Sequence, residues 1–159
     1  MLSPDAGDQL LSLDHARLRD RAVRFISTNL ASVGQDDYAL PLLRALSVLR
    51  LAMLSHSVRA LSESQRHELV GGLIRVERSI VPLIHPQRWY AFLNAAATAI
   101  SSWAGDPRWR HGSRGVADAC DLLAAAEHEL MSVLIFDTVG DRNVAARQHR
   151  DTAKPEMRP

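Results

Sequence analysis

Leu40-Pro-Leu-Leu-Arg44-Ala-Leu-Ser47-Val-Leu-Arg50-Leu-Ala-Met-Leu-Ser-His56-Ser-Val58 is the stretch on which the fold turns. Wound as a helix, it is apolar almost all round, because Leu42, Leu43, Leu46, Val48, Leu49, Leu51, Met53 and Leu54 leave only Arg44, Ser47 and Arg50 as a narrow polar interruption. A helix of that kind lies in the middle of a bundle or against a partner. It is expected to run from about Asp37 to Leu61, with Pro41 in its first turn, where a missing N–H costs nothing.

Helical periodicity continues on both sides. Leu18, Ala22, Phe25, Ile26, Asn29 and Leu30 form one stripe on a helix expected over Leu13 to Ser32, with Asp20 and Arg24 spaced as an ion pair. Ser62-Glu-Ser-Gln65 has the spacing of a capping box and opens a helix to about Val81, whose stripe is Leu69, Leu73, Val76 and Ile80. Gly71-Gly72 inside it costs about 1 kcal/mol per glycine relative to alanine, which implies close helix approach or a kink. A fourth helix over Pro86 to Trp103 carries a bulky ridge of Trp89, Phe92, Leu93, Ala96, Ile100 and Trp103, and a small ridge of Ala91, Ala95, Thr98 and Ser102. Two ridges imply contacts on two sides. Ala104-Gly-Asp-Pro107 ends it, and a fifth helix is expected over Ser113 to Phe136. Met131 to Phe136 also has strand composition, but no second strand offers to pair with it.

The fold class that follows is all-α, a single-domain bundle of about five helices spanning residues 13–140. Residues 1–12 are expected to form a flexible lead. Residues 141–159 are polar enough to be expected as a disordered tail.

Composition narrows the function classes. Cys120 is the only cysteine, which excludes an internal disulfide and a multi-cysteine zinc site and fits a reducing compartment. The first residues lack the pattern of a secretory signal and no apolar run reaches membrane length, so a soluble, cytoplasmic protein is expected. A net charge of +1 with interleaved signs argues against a dedicated nucleic-acid binder. Eighteen arginines against one lysine, Lys154, fit the codon bias of a GC-rich, bacterial-type genome.

No cofactor or metal is expected. Paired Glu-x-x-His units and His-Glu-x-x-His are absent, and Asp118, Asp121, His128 and Glu129 read as a solvated acidic face. Gly71-Gly72 lies inside a helix instead of opening one, and Gly112-Ser-Arg-Gly115 has no preceding strand to make a nucleophile elbow.

Five of the eight aromatic residues fall between Trp89 and Trp109, and this segment supplies the candidate binding residues: Arg88, Trp89, Tyr90, Trp103, Arg108, Trp109 and Arg110. Trp89, Phe92 and Trp103 follow the buried stripe and read first as core. Arg88 and Tyr90 fall off it, and Arg108-Trp109-Arg110 sets cations beside a stacking surface.

Arg50-Leu-Ala-Met-Leu-Ser-His56 resembles the arginine, short gap and histidine of HEPN-type ribonucleases, which are small helical proteins. The resemblance implies RNA cleavage by Arg50 and His56. It covers those two residues, and Leu51 stands where a polar residue is common. The reading preferred over it is a non-enzymatic helical protein–protein interaction module, a regulator or adaptor that forms a homodimer, because more faces ask for burial than a small monomer can cover. A small-molecule sensor is the alternative, with a pocket between the second, fourth and fifth helices lined by Trp89, Tyr90, Phe92 and Trp103 and anchored by Arg50 or His56.

Overall fold

A computed structural model describes residues 4–34, 36–55, 58–80, 86–105 and 113–153, with side chains over 13–34, 36–55, 58–79, 88–105 and 115–136. The chain is all-α: five helices, α1 (Pro4–Ala31), α2 (Ala39–Leu54), α3 (Glu63–Ile80), α4 (Pro86–Trp103) and α5 (Ser113–Ala153), with no strand among the described residues. Met131 to Phe136 is part of α5.

Contacts between helices give the layout. α1, α2, α4 and α3 form a closed ring in which each touches the next, and α5 lies against α2 and α4 on the side away from α1 and α3. α2 therefore has three neighbours, as its apolar surface requires, and buries Leu42, Ala45, Leu46, Leu49 and Ala52. α4 also has three, which accounts for its two ridges: Trp89, Phe92, Leu93, Ala96, Ile100 and Trp103 are all buried, and so are Ala95 and Ala99 beside them.

Several boundaries depart from the sequence expectation. α1 starts at Pro4, so residues 4–12, expected as a lead, are its first turns. α2 stops at Leu54, because the chain leaves the helical region at Ser55 (φ −89°, ψ 120°). α5 continues to Ala153, through residues 141–153 expected as disordered; Ala, Arg and Gln there favour helix and no proline intervenes before Pro155. In α1 the buried stripe is Val23, Ile26 and Leu30, while Phe25 and Leu18 are exposed. α1 touches only α2 and α3, and a stripe that narrow cannot also cover Phe25, a third of a turn from Ile26.

The α2–α3 connection is strapped to its surroundings. Trp103 Nε1 donates to the Arg59 carbonyl at 2.9 Å, the Leu61 N–H donates to the Trp103 carbonyl at 3.1 Å, and Arg19 donates to the Ala60 carbonyl at 3.2 Å. The capping box forms as spaced: the Gln65 N–H donates to Ser62 Oγ at 3.2 Å and the Ser62 N–H donates to Gln65 Oε1 at 3.1 Å. Gln65 Nε2 also donates to Asp20 on α1 at 2.8 Å. Gly105 ends α4 at φ 77°, the left-handed conformation that favours glycine.

The two central glycines of α3 differ. A Cβ on Gly72 would stand 3.0 Å from Leu30 Cδ1 on α1, whereas one on Gly71 would meet nothing within 4 Å. Close approach thus accounts for Gly72 alone. Gly71→Ala should stabilise the fold by about 0.5–1 kcal/mol through helix propensity. Gly72→Ala should fall below that by about 1 kcal/mol, because the buried Leu30 must shift. Urea unfolding of the two variants side by side checks the order.

The Gln65 amide, and after it the Arg19 guanidinium, hold the Asp20 carboxyl below its ordinary value of 3.8. The charged form is thus favoured more in the folded chain than in the unfolded one. Stability from this contact is complete above the ordinary carboxylate range and fades as pH falls through it and below. Asp20→Asn should lower stability in the neutral region and flatten the acid limb of a stability–pH profile between about pH 4 and pH 2, so that variant and wild type converge at low pH, measured by thermal unfolding at each pH.

Candidate functional site

Three features surround α2, each built from one part of its sequence. The first is a polar knot in the α2–α5 seam. Residues Val116, Cys120, Leu123, Glu127, Leu130 and Leu134 follow the three- and four-residue steps of a buried helix face, which sets a carboxylate in line with the core. Glu127 is the single buried charged residue among those described, 9% exposed. It accepts hydrogen bonds from Ser47 Oγ at 2.5 Å, from Arg50 Nε, and from a terminal Arg50 nitrogen at 3.3 Å. The hydrogen bond to Glu127 holds the Arg50 guanidinium above its ordinary value against the opposing effect of burial. Burial pushes the nearby Cys120 thiol up, and the Arg50 charge only partly offsets this, so the thiol is a poor nucleophile at neutral pH.

The second feature is the outward side of the same seam. Leu40, Leu51 and Leu54 are at 36, 58 and 56% exposure, and their spacing puts them on one face of α2. Met131 and Ile135, at 51 and 58%, share a face of α5 with Ala124. α2 and α5 run antiparallel, since Ser47 meets Glu127 while Arg50 also senses Cys120, two turns earlier on α5. In that arrangement both apolar rows fall on the side of the seam away from the core.

The third feature lies between α1 and α2. Arg21, Arg24, Phe25, Thr28 and Asn29 of α1, Ser32 just beyond its end and Arg44 of α2 line a shallow groove of about 720 Å³. Asn29 and Ser32 spend their donors on carbonyls of their own helix, at 2.8 and 2.9 Å. The arginines, the Thr28 hydroxyl and the Phe25 ring remain as its free chemistry.

The candidates read from the sequence take different places. Trp89 and Trp103 are buried, 3 and 7% exposed, and belong to the core rather than to a surface that a partner could touch. Trp89 meets Tyr38 and Phe92 edge to face, with ring centroids at 6.4 and 5.4 Å. Trp89, Phe92 and Trp103, three of the residues named for the alternative ligand pocket, belong to the buried core cluster, and Trp103 also borders a small recess of about 230 Å³ with Ala52, Met53 and Val58. Arg88 is ion-paired with Glu129 across the α4–α5 contact, and Tyr90 is 41% exposed. Arg108, Trp109 and Arg110 lie outside the described residues, and so does His56 of the ribonuclease-like pair. Arg50, its other member, is engaged by Glu127. No group of three or more potential metal ligands occurs among the described residues.

No protein-family model, no curated protein and no solved structure matches the chain. Function therefore has to be argued from the three features themselves.

The polar knot acts as an internal closure of the seam. Removing one partner leaves the other short of its contacts, which for partly buried pairs like this costs about 2–4 kcal/mol for Arg50→Leu, the change that strands the more buried Glu127. Glu127→Leu should cost less, since Arg50, 30% exposed at its side chain, can turn to water. The double replacement should recover most of the loss. A double-mutant cycle by chemical denaturation gives all three values, and additivity of the single changes would show that the pair is not coupled.

Proposed function

We propose that this chain is a non-enzymatic helical protein–protein interaction module, a regulator or adaptor that associates with a second copy of itself. The observation that supports this reading is the apolar face of Leu40, Leu51, Leu54, Met131 and Ile135 on the outward side of the α2–α5 pair. Water-facing leucines are common singly. Here five large apolar side chains share one side of two adjacent helices, and fully burying each is worth about 1.5–3 kcal/mol. α2 has contacts on three sides, and on the fourth Leu40, Leu51 and Leu54 stay exposed beside Arg44 and Ser47, an excess of burial-seeking surface that its sequence announces.

Glu127, Arg50 and Ser47 satisfy one another, and the Cys120 thiol is held protonated. No helix of the described chain is long and apolar enough to cross a membrane, and a cytoplasmic setting fits the free Cys120.

Sedimentation velocity on the full chain from low to high micromolar concentration tests the reading. The wild type should shift from monomer towards dimer with concentration. Leu51→Glu combined with Ile135→Glu should remain monomeric with an unchanged far-UV circular dichroism spectrum, because both side chains already face water. A wild-type chain that stays monomeric throughout, or a doubly substituted chain that dimerises as well as the wild type, overturns it.

A further inference from the structure

We propose that the α1–α2 groove binds an acidic protein segment that carries a bulky apolar residue. The inference rests on the reading of the chain as an interaction module and names the chemistry of a partner. Arg17, Arg21, Arg24, Phe25, Thr28 and Ser32 recur at steps of four, three, one, three and four, which sets them along one face of α1. Arg44 of α2 faces them across the groove.

The charge of this face is unbalanced within a chain that is otherwise nearly neutral. Among the described residues neither Arg21 nor Arg44 has a carboxylate within ion-pair distance. Asp20 lies close enough to sense Arg24, but it is held by Gln65 and Arg19. Asp14 borders the neighbouring recess with Arg17, Leu18 and Arg21 and makes no ion pair there. Arg17 and Arg21, four apart on one helix, repel each other. Some cations elsewhere do meet an acid: Glu63 pairs with His67 and Arg88 pairs with Glu129.

Charge complementarity chooses the occupant. Guanidinium groups take carboxylates in bidentate fashion, and a run of them at helical spacing matches carboxylates repeated along an extended or helical segment. Phe25, at 42% exposure, stands next to Arg24 and offers an apolar contact, the pairing of arginine and aromatic that dominates protein interfaces. A single-stranded nucleic acid fits less well, since it needs a longer basic track and successive stacking platforms, and the groove holds one aromatic ring.

Fluorescence anisotropy on the full chain tests the proposal, with a labelled synthetic peptide alternating Glu, Asp and Leu as the probe. Its Gln/Asn/Leu counterpart, its Glu/Asp/Gly counterpart and a labelled oligouridylate serve as comparisons. The acidic, leucine-containing peptide should bind and weaken with added salt. Arg21→Glu with Arg44→Glu should weaken it by about tenfold or more, and Phe25→Ala should weaken it while leaving the salt dependence in place. The counterpart peptides and the oligouridylate should bind less well. No binding of the acidic peptide, binding indifferent to the charge reversal, or tighter binding of the oligouridylate overturns the proposal. Self-association is read separately by sedimentation: if the charge-reversed chain still dimerises through the Leu51 face while peptide binding is absent in the wild type, this inference fails and the interaction-module reading stands.

Discussion

Burial of α2 is the constraint on which the rest of the structure depends. A helix with large apolar side chains on almost every side can sit in water only if neighbours cover it, and α1, α4 and α5 do so. Their positions follow from that demand. α1 contributes the narrow stripe of Val23, Ile26 and Leu30, α4 its bulky ridge, and α5 the row from Ala119 through Leu123 to Leu130. α3 closes the ring without touching α2, and its Gly72 lets α1 approach close enough for Leu30 to fill the gap. The α2–α3 connection is then fixed by the last turn of α4, where the Trp103 indole N–H finds the Arg59 carbonyl and so escapes the cost of an unpaired buried donor.

Much of this architecture can be read from the chain, because helical periodicity and caps are local properties. Leu69, Leu73 and Val76 of the α3 stripe, the bulky ridge of α4, the Ser62–Gln65 capping box and the glycine that ends α4 all occupy the places their spacing implies. What spacing cannot supply is the number of neighbours. Phe25 belongs to the periodic stripe of α1 as plausibly as Ile26 does, and only the peripheral position of α1 decides that one is covered and the other exposed. Composition says little about helix at the ends for a related reason. Residues 4–12 and 141–153 lack the apolar content of a core helix, but a helix already nucleated and packed can be extended at little cost through residues of fair propensity.

The candidate surfaces were less legible, and the aromatic residues explain why. Tryptophan and arginine lead both core and interface energetics, so a cluster of them marks importance without saying which kind. In this chain Trp89 and Trp103 serve the core, while the surfaces open to a partner are made of leucine, isoleucine, methionine and arginine. Glu127 did carry a signal. It occupies a core register position on α5, between Leu123 and Leu130, and a carboxylate there calls for a cation inside the fold. Ser47 and Arg50, on the polar strip of the one helix that must be covered, were the available answer.

The three polar residues of α2 show how a single strip divides between fold and function. Ser47 and Arg50 lie towards α5, and Glu127 absorbs both, so the seam closes without exposing an unpaired charge. Arg44 lies one step further round, and among the described residues no acidic side chain of α1 comes to meet it. Had the strip been needed only for solubility, one cation facing water would suffice and the facing helix would have no reason to add more. α1 instead sets Arg21 and Arg24 opposite Arg44 and leaves Phe25 uncovered among them. Like charges gathered across a groove oppose the packing of the two helices that carry them, so the stability of the domain gives no reason for their placement, and a ligand of opposite charge, as proposed above, would give one.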